Sequence, residues 1–95
     1  MSVTPEQLTL LGSRIGGSSA VGGQTINPHG AAITGGSSAG SAAGVAARLA
    51  VVSVGTETSG SLITPSAWNG VVGMKPSLNL VNGAGVVPLL RVNDS

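Results

Sequence analysis

The stretch GGSSAGSAAGVAARLAVVSVGTETSGSLITPSAWNGVVGMKPS, from Gly35 to Ser77, decides the fold. After a glycine and serine loop, the alanine-rich run from Ser41 to Ala50 favours a helix, and the β-branched run from Val51 to Gly55 favours a buried strand. The sequence then predicts a turn and a short helix between Thr56 and Asn69, and a second short strand from Gly70 to Met74. The order of loop, helix, strand, turn and strand predicts an α/β layer.

The segment before this stretch has two parts. Thr4-Pro5-Glu6-Gln7 combines a capping hydroxyl, a proline and an acidic first turn, which predicts a short helix ending near Gly12. The region from Ser13 to Gly40 is rich in glycine, serine and asparagine. Such a region is either disordered or a functional loop held in place by other parts of a protein.

The composition argues against an independent domain. The chain has 95 residues, of which 16 are glycine and 1% are aromatic, with Trp68 as the single tryptophan. Large apolar side chains must offset an ordering entropy on the order of 100 kcal/mol, and this chain has few of them. We therefore expect it to be part of a larger core.

Several classes of function are disfavoured by what the sequence contains. There is no cysteine and His29 is the single histidine, so a thiolate or histidine metal cluster is excluded and no cofactor is expected. The four basic residues are scattered, which argues against nucleic acid as a partner. The run from Val45 to Val54 is interrupted by Arg48 and is too short to span a membrane. Met1 to Ile15 lacks the features of a secretory signal, so a cytoplasmic location is the default expectation.

A second cluster of hydroxyl residues, Gly55-Thr56-Glu57-Thr58-Ser59-Gly60-Ser61, follows the predicted strand directly. A strand that ends in a turn of small residues exposes backbone N–H groups, and these can bind the oxyanion that forms when a serine attacks a carbonyl carbon. Ser61 is suitably placed for that attack.

From these residues alone, the serine motifs are open to several interpretations. A Ser/His triad has weak support, because His29 lies in a polar Asn-Pro-His-Gly turn where a structural role is the simpler interpretation. Gly36 to Gly40 fits the G-x-S-x-G nucleophile elbow, but no strong strand precedes it and no histidine follows it. A phosphate-binding P-loop would need a lysine that is absent here. The first cluster could also be only a loop and a helix cap.

The two motifs together closely resemble the signature segment of the amidase signature family of serine hydrolases. The resemblance covers the G-G-S-S loop, the small-residue helix, G-T-E-T-x-G-S and the G-V-V-G-x-K-P stretch, in the family's order and separation. Weaker similarity extends it to Ser19 through Leu90. We accordingly divide the chain into an N-terminal segment without clear resemblance, residues 1–18, and a partial amidase-signature domain, residues 19–95.

The resemblance implies a fragment of a fold in which α-helices cover a mixed β-sheet. It also implies a Ser-Ser-Lys triad that cleaves carboxamides through an acyl-enzyme. Carried onto this chain, Ser61 is the nucleophile and Ser37, which in the family follows a cis peptide bond, is the bridging serine. The backbone N–H groups of Thr58, Ser59, Gly60 and Ser61 would form the oxyanion hole.

Neighbouring residues receive supporting roles. Ser38 would either hydrogen-bond into the triad or cap the following helix, and Ser41 is better explained as a cap. Thr56 and Glu57 match the family motif and are expected to hold the turn through side-chain to backbone hydrogen bonds. The side chain of Ser59 is not expected to be essential.

The triad's base is the main departure from the family. The family's catalytic lysine lies well upstream of the G-G-S-S loop, and we expect this chain to begin too late to include it. Lys75 is the single lysine, but it matches the structural K-P stretch. The expected activity is hydrolysis of the C–N bond of a small-molecule amide in a complete parent enzyme, with this chain inactive alone. The alternatives are part of a glutamine-dependent amidotransferase and an inert gene remnant.

Overall fold

A computed structural model describes residues 16–30 and 33–95, which form two short strands and two helices. Strand β1 is Ser18–Ser19, β2 is Gly23–Gln24, α1 is Ala39–Ala46 and α2 is Ile63–Trp68. The helix predicted to end near Gly12 lies outside the described residues. None of the helices in the described ranges has the length and apolar character needed to cross a membrane.

The two strands form an antiparallel hairpin within the region predicted to be a loop. Ser18 pairs with Gln24 and Ser19 with Gly23. The turn is closed by a hydrogen bond from the N–H of Gly22 to Oγ of Ser19 (3.0 Å). The glycine-rich segment is therefore partly ordered by its own backbone and side-chain hydrogen bonds.

Helix α1 buries a face made only of alanine. Ala39, Ala42 and Ala43 are buried, and their spacing of three and four residues places them on one side of the helix. Because alanine has the highest helix propensity and the smallest apolar side chain, this face lets the neighbouring backbone approach closely. Apart from Pro65, these alanines are the buried hydrophobic side chains of the described ranges.

Both helices end in a Schellman motif. After α1, the N–H of Leu49 donates to the carbonyl of Gly44 (2.9 Å) and the N–H of Arg48 donates to the carbonyl of Val45 (2.9 Å), with Arg48 in the left-handed region at φ 60°. The prediction that the helix extends to Ala50 is therefore wrong, because these bonds close the last turn earlier.

The end of α2 repeats this arrangement with glycine in the left-handed position. Val71 N–H donates to the carbonyl of Ser66 (3.0 Å), Gly70 N–H donates to that of Ala67 (3.3 Å), and Gly70 has φ 66°. Glycine carries no Cβ penalty in this conformation, whereas arginine does. The predicted short helix before Asn69 is confirmed. Of the two helix ends, that of α2 has the residue better suited to the left-handed position.

Two buried asparagines join Asn27 and Thr34 to the end of α2. Nδ2 of Asn27 donates to the carbonyl of Trp68 (2.8 Å), and Nδ2 of Asn69 donates to the carbonyls of Thr34 (2.9 Å) and Pro65 (2.7 Å). These contacts join segments that are far apart in the sequence, and they place the serine loop that follows Thr34 beside α2.

The two predicted strands, Val51 to Gly55 and Gly70 to Met74, are absent. Residues 51–57 and 71–77 form neither helix nor strand. Val51 is 94% exposed and Val72 is 99% exposed. A β-branched run becomes a strand only when a neighbouring strand satisfies its backbone groups, and no such ladder involves these segments within the described residues.

The two segments instead border a groove of about 580 Å³ that is lined mainly by apolar side chains. We call it the apolar groove. Both helices and the residues that flank them contribute to its lining, which includes Ala42, Val45 and Leu62. Two helices and two short strands are compatible with a fragment of an α/β domain, but the helix-covered mixed sheet is not present in the described part of the chain.

Candidate active site

The structure brings the two serine motifs into direct contact. The backbone N–H of Ser38 donates to the carbonyl oxygen of Ser61 at 3.0 Å. Ser37 and Ser61 are both buried, with 8% and 7% of their surfaces exposed. The peptide bond between Gly36 and Ser37 is cis, at the position where the family resemblance implies one.

The hydroxyl of Ser38 connects the start of α1 to the beginning of the second motif. Oγ of Ser38 donates to the carbonyl of Thr56 (3.1 Å) and accepts the N–H of Thr56 (3.1 Å). Gly55 leaves room for this hydroxyl, since a Cβ there would lie 2.8 Å from Oγ of Ser38. Ser38 occupies the N-cap position of α1, as one of its two predicted roles requires, but its hydroxyl makes no cap hydrogen bond.

Ser41 also has a role different from the one predicted. Its Oγ donates to the carbonyl of Val54 at 2.7 Å. Ser41 therefore joins α1 to the segment that precedes the second motif and is not a cap. Together, the hydroxyls of Ser38 and Ser41 hold this segment along the helix.

The carboxylate of Glu57 organises the turn that carries Ser61. Glu57 is 3% exposed, and one of its oxygens accepts the N–H of Gly60 while the other accepts those of Leu62 (2.6 Å) and Ile63 (3.1 Å). The last two N–H groups belong to the start of α2, where a negative charge is favourable. Glu57 thus accepts hydrogen bonds from residues on both sides of Ser61, and it connects the turn before Ser61 to the helix after it.

The ionisation of Glu57 follows from these contacts. Burial by itself would raise the pKa of the carboxyl group, but the three backbone donors, together with the charge of Lys75, hold it below its ordinary value. The group is therefore a carboxylate at neutral pH.

The candidate oxyanion-hole donors divide into two groups. The N–H of Gly60 donates to the Glu57 carboxylate, so it already has an acceptor in this structure. Within residues 16–30 and 33–95, the N–H groups of Thr58, Ser59 and Ser61 have no backbone or side-chain acceptor. We use the name nucleophile turn for residues 57–61, which contain all of these donors.

Two residues that the sequence reasoning missed contact the nucleophile turn. Oγ1 of Thr58 donates to Oδ1 of Asp94 at 2.5 Å, and Glu57 and Ser95 exchange a pair of backbone hydrogen bonds (2.8 and 2.9 Å). The available signal was the scarcity of acidic residues, of which the whole chain has three. A carboxylate can accept several hydrogen bonds, and the hydroxyl of Thr58 donates one to Asp94.

Lys75 and His29, the two residues considered as catalytic bases, form their hydrogen bonds away from the two serine motifs. Nζ of Lys75 donates to the carbonyl of Asn93 (3.2 Å), and Nε2 of His29 contacts the carbonyl of Asn69 (3.0 Å). In the described part of the chain, neither side chain hydrogen-bonds to Ser37 or Ser61. The backbone N–H of His29 also donates to Oδ1 of Asn27 (3.0 Å), which fits the predicted turn role.

The elbow alternative does not fit the local structure. Residues 33–35, directly before Gly36, form no strand, and both hydrogen bonds of the Ser38 hydroxyl go to the backbone of Thr56. Among the residues that the structure describes, no three histidine, cysteine, aspartate or glutamate side chains come together as a metal site.

Comparison with known proteins places the chain in a family. The family model for amidases matches residues 7–95, so the match begins before the resemblance at Ser19. The chain is 51% identical over 80 residues to an Arabidopsis thaliana protein named "Probable amidase", covering 83% of this chain and 16% of that protein. It is 36% identical over 102 residues to the indoleacetamide hydrolase of Pseudomonas syringae pv. syringae, covering 93% of this chain and 23% of the hydrolase.

A third relative is named for a different activity. The chain is 52% identical over 65 residues to one subunit of the glutamyl-tRNA(Gln) amidotransferase of Staphylococcus haemolyticus, covering 67% of this chain and 13% of that subunit. The chain therefore spans less than a quarter of the length of each of these relatives. No solved structure matches it significantly. The family match over residues 7–95 shows that the chain belongs to the amidase family, also called the amidase signature family.

Proposed function

We propose that this chain carries the nucleophile and the bridging serine of a serine-dependent amidase. The observation that supports this most directly is the hydrogen bond from the N–H of Ser38 to the carbonyl of Ser61, because it holds the residue after Ser37 against the nucleophile turn. Membership of the amidase family supports the reaction class that we propose, which is hydrolysis of a carboxamide C–N bond.

In the proposed reaction, Oγ of Ser61 attacks the carbonyl carbon of the amide. Its proton passes to Oγ of Ser37 as Ser37 gives its own proton to a neutral lysine, the base that the family resemblance implies. The C–N bond then breaks, and the leaving amine takes the proton back along the same route. Water hydrolyses the resulting ester and regenerates Ser61.

The nucleophile turn would stabilise the oxyanion through the N–H groups of Thr58, Ser59 and Ser61. Preorganised donors of this kind contribute on the order of 3 kcal/mol each to lowering the barrier. Glu57 supports the geometry by fixing Gly60 within the turn and Leu62 after it. Ser59 contributes its backbone alone, because its side chain is exposed.

In this proposal, the catalytic base is not Lys75. Lys75 donates to a backbone carbonyl and makes no described bond to either serine. We therefore propose that the chain is inactive alone and that a lysine in a longer amidase polypeptide completes the triad. Loss of one member of such a unit removes most of its contribution to the rate.

A second candidate reaction is release of ammonia from glutamine for transfer to another acceptor. It is favoured by the similarity to the amidotransferase of Staphylococcus haemolyticus, which reaches 52% identity. The two reactions share the acyl-enzyme, so the same serines would serve both. They differ in the substrate amide and in the fate of the released nitrogen.

The testing experiment uses the chain alone and a chimaera in which its residues replace the matching segment of the Pseudomonas syringae hydrolase, whose match covers 93% of this chain. Both are treated with a fluorophosphonate, and peptide mass spectrometry locates the adduct. We expect labelling at Ser61 in the chimaera and none in the chain alone. The Ser61→Ala chimaera should lose the adduct, and Ser37→Ala should react about a hundredfold more slowly.

Ser59→Ala is the matched control, since it removes an exposed hydroxyl from the same turn and should react within about twofold of the parent chimaera. An adduct that persists in Ser61→Ala would remove Ser61 from the mechanism. Labelling of the chain alone would show that no outside base is needed. Turnover of indoleacetamide by the chimaera tests whether the segment supports hydrolysis of an amide, and a remnant without catalytic capacity would not turn it over.

A further inference from the structure

The carboxylate of Asp94 is the meeting point of two distant segments. Its Oδ1 accepts the hydroxyl of Thr58 (2.5 Å), and its Oδ2 accepts the N–H groups of Leu89 (2.8 Å) and Leu90 (2.9 Å). Thr58 and Asp94 are 36 residues apart in sequence. One side chain thus fastens the nucleophile turn to the chain around residue 90.

The neighbouring residue strengthens this junction through the backbone. The N–H of Glu57 donates to the carbonyl of Ser95 (2.8 Å) and the N–H of Ser95 donates to that of Glu57 (2.9 Å). This exchange of both bonds has the pattern of a hydrogen-bonded residue pair in an antiparallel sheet, although neither residue lies in a strand. Residues 94 and 95 therefore fix both the backbone and the side chains at the start of the nucleophile turn.

We propose that Asp94 is a positioning residue for the oxyanion-binding end of the nucleophile turn, acting through the hydroxyl of Thr58. The inference rests on the proposed function, in which the N–H of Thr58 is one of the oxyanion donors. With its side chain held by Asp94 and its preceding residue paired with Ser95, Thr58 has little freedom to rotate its peptide plane.

The chemistry of the carboxylate makes it suitable for this task. A carboxylate only accepts hydrogen bonds and can serve several donors at once, whereas an amide offers one acceptor oxygen and two donors. Hydrogen bonding from the Thr58 hydroxyl is the leading reason that the pKa of Asp94 lies below its ordinary value, so the acceptor form is maintained. Asp94→Asn would direct N–H donors at either Thr58 or the backbone N–H groups of Leu89 and Leu90.

The first test is structural and does not depend on catalysis. Backbone amide resonances of the ¹⁵N-labelled chain are compared among the parent, Asp94→Asn, Thr58→Val and Ser95→Ala. Ser95→Ala is the control, because it removes only a long side-chain contact to the Glu57 carbonyl (3.4 Å) and keeps the backbone pair. We expect the amides of Thr58, Ser59 and Ser61 to shift in the first two variants by more than in the control.

The second test measures function in the chimaera with indoleacetamide. We expect Asp94→Asn and Thr58→Val each to lower kcat about ten- to hundredfold with KM nearly unchanged, because the contact to the oxyanion forms only in the transition state. Thr58→Ser keeps the hydroxyl and should retain most of the activity. The double variant should be no slower than either single variant, since both break one interaction.

The outcomes separate this inference from the proposed function. Equal amide spectra for Asp94→Asn and Ser95→Ala, or strictly additive losses of kcat, would overturn the positioning role. If Asp94→Asn fails to fold, Thr58→Val still tests the same bond. A parent chimaera that is not labelled at Ser61 would refute the proposed function, and the amide shifts would still decide whether Asp94 positions the turn.

Discussion

The side chain of Glu57 is the clearest case in this molecule of a single residue that determines local structure. It is nearly fully buried, it is charged, and it accepts three backbone N–H groups on the two sides of Ser61. A buried charge without such partners would be strongly unfavourable. The motif therefore has an acidic residue here for a structural reason, whatever its effect on the reaction.

Replacing Glu57 by glutamine should destabilise the chain. The change keeps the shape but turns one acceptor oxygen into an NH₂ group that faces backbone N–H donors. We expect the free energy of unfolding to fall by about 2 kcal/mol, measured by urea titration. The neighbouring exposed position provides the control, as Ser59→Ala should change it by less than about 0.5 kcal/mol. A glutamine variant as stable as the parent would mean that the three bonds contribute little.

The pH dependence of stability follows from the same residue. The pKa of Glu57 is lower in the folded chain than its ordinary value of 4.5. Its contribution to stability is therefore complete above about pH 4.5 and is lost as the pH falls through the lower folded value. The urea midpoint should drop in that range, and Glu57→Gln should show a smaller drop. The Asp94 carboxyl, whose pKa is lowered from 3.8, adds a residual dependence to both.

At the scale of elements, the ends of the two helices form a matched pair. Arg48 and Gly70 occupy equivalent left-handed positions in Schellman motifs, with φ 60° and 66°. A residue with a Cβ loses about 1 kcal/mol in this conformation relative to glycine. The two positions can therefore be tested against each other.

Arg48→Gly should raise the free energy of unfolding by about 0.5–1 kcal/mol, and Gly70→Ala should lower it by about 1 kcal/mol. Arg48→Ala serves as the control, because it removes the charge and keeps the Cβ, and it should bring no gain. Urea titration of the three variants measures the differences. A gain in Arg48→Ala equal to that of Arg48→Gly would attribute the effect to the side chain and not to the backbone.

The elements also show what could be learned from the sequence. The alanine run and the proline-containing turn predicted both helices, because propensity acts locally. The end of α1 at Ala46 was missed, since arginine is not a typical residue for the left-handed position that Arg48 occupies after it. The strands at Val51 and Val72 were predicted from β-branched side chains, but a strand also requires a partner, which a local pattern does not provide. The bond between Thr58 and Asp94 was missed for the same reason, as it joins residues 36 positions apart.

At the scale of the whole molecule, the exposed apolar side chains dominate. The apolar groove and its borders include Val51, Val52 and Val72, each more than four-fifths exposed. We expect the chain to bind an environment-sensitive dye such as ANS under native conditions. The double variant Val52→Ser, Val72→Ser should lower the dye fluorescence about twofold.

Val21→Ser is the matched control for that experiment, because Val21 is 95% exposed and does not line the groove. Its dye fluorescence should equal that of the parent. If the control lowers the signal as much as the double variant, the dye does not bind the groove.

In residues 16–30 and 33–95, the buried interior consists of three alanines and Pro65 surrounded by polar side chains such as Asn27, Thr34 and Asn69. Unfolding such an interior exposes little new apolar surface and much polar surface, and these change the heat capacity in opposite directions. The heat capacity change on unfolding should therefore be small for a chain of this length. The free energy of unfolding would then vary almost linearly with temperature, without the pronounced maximum that a large apolar core produces. Cooling would therefore not weaken the folded chain.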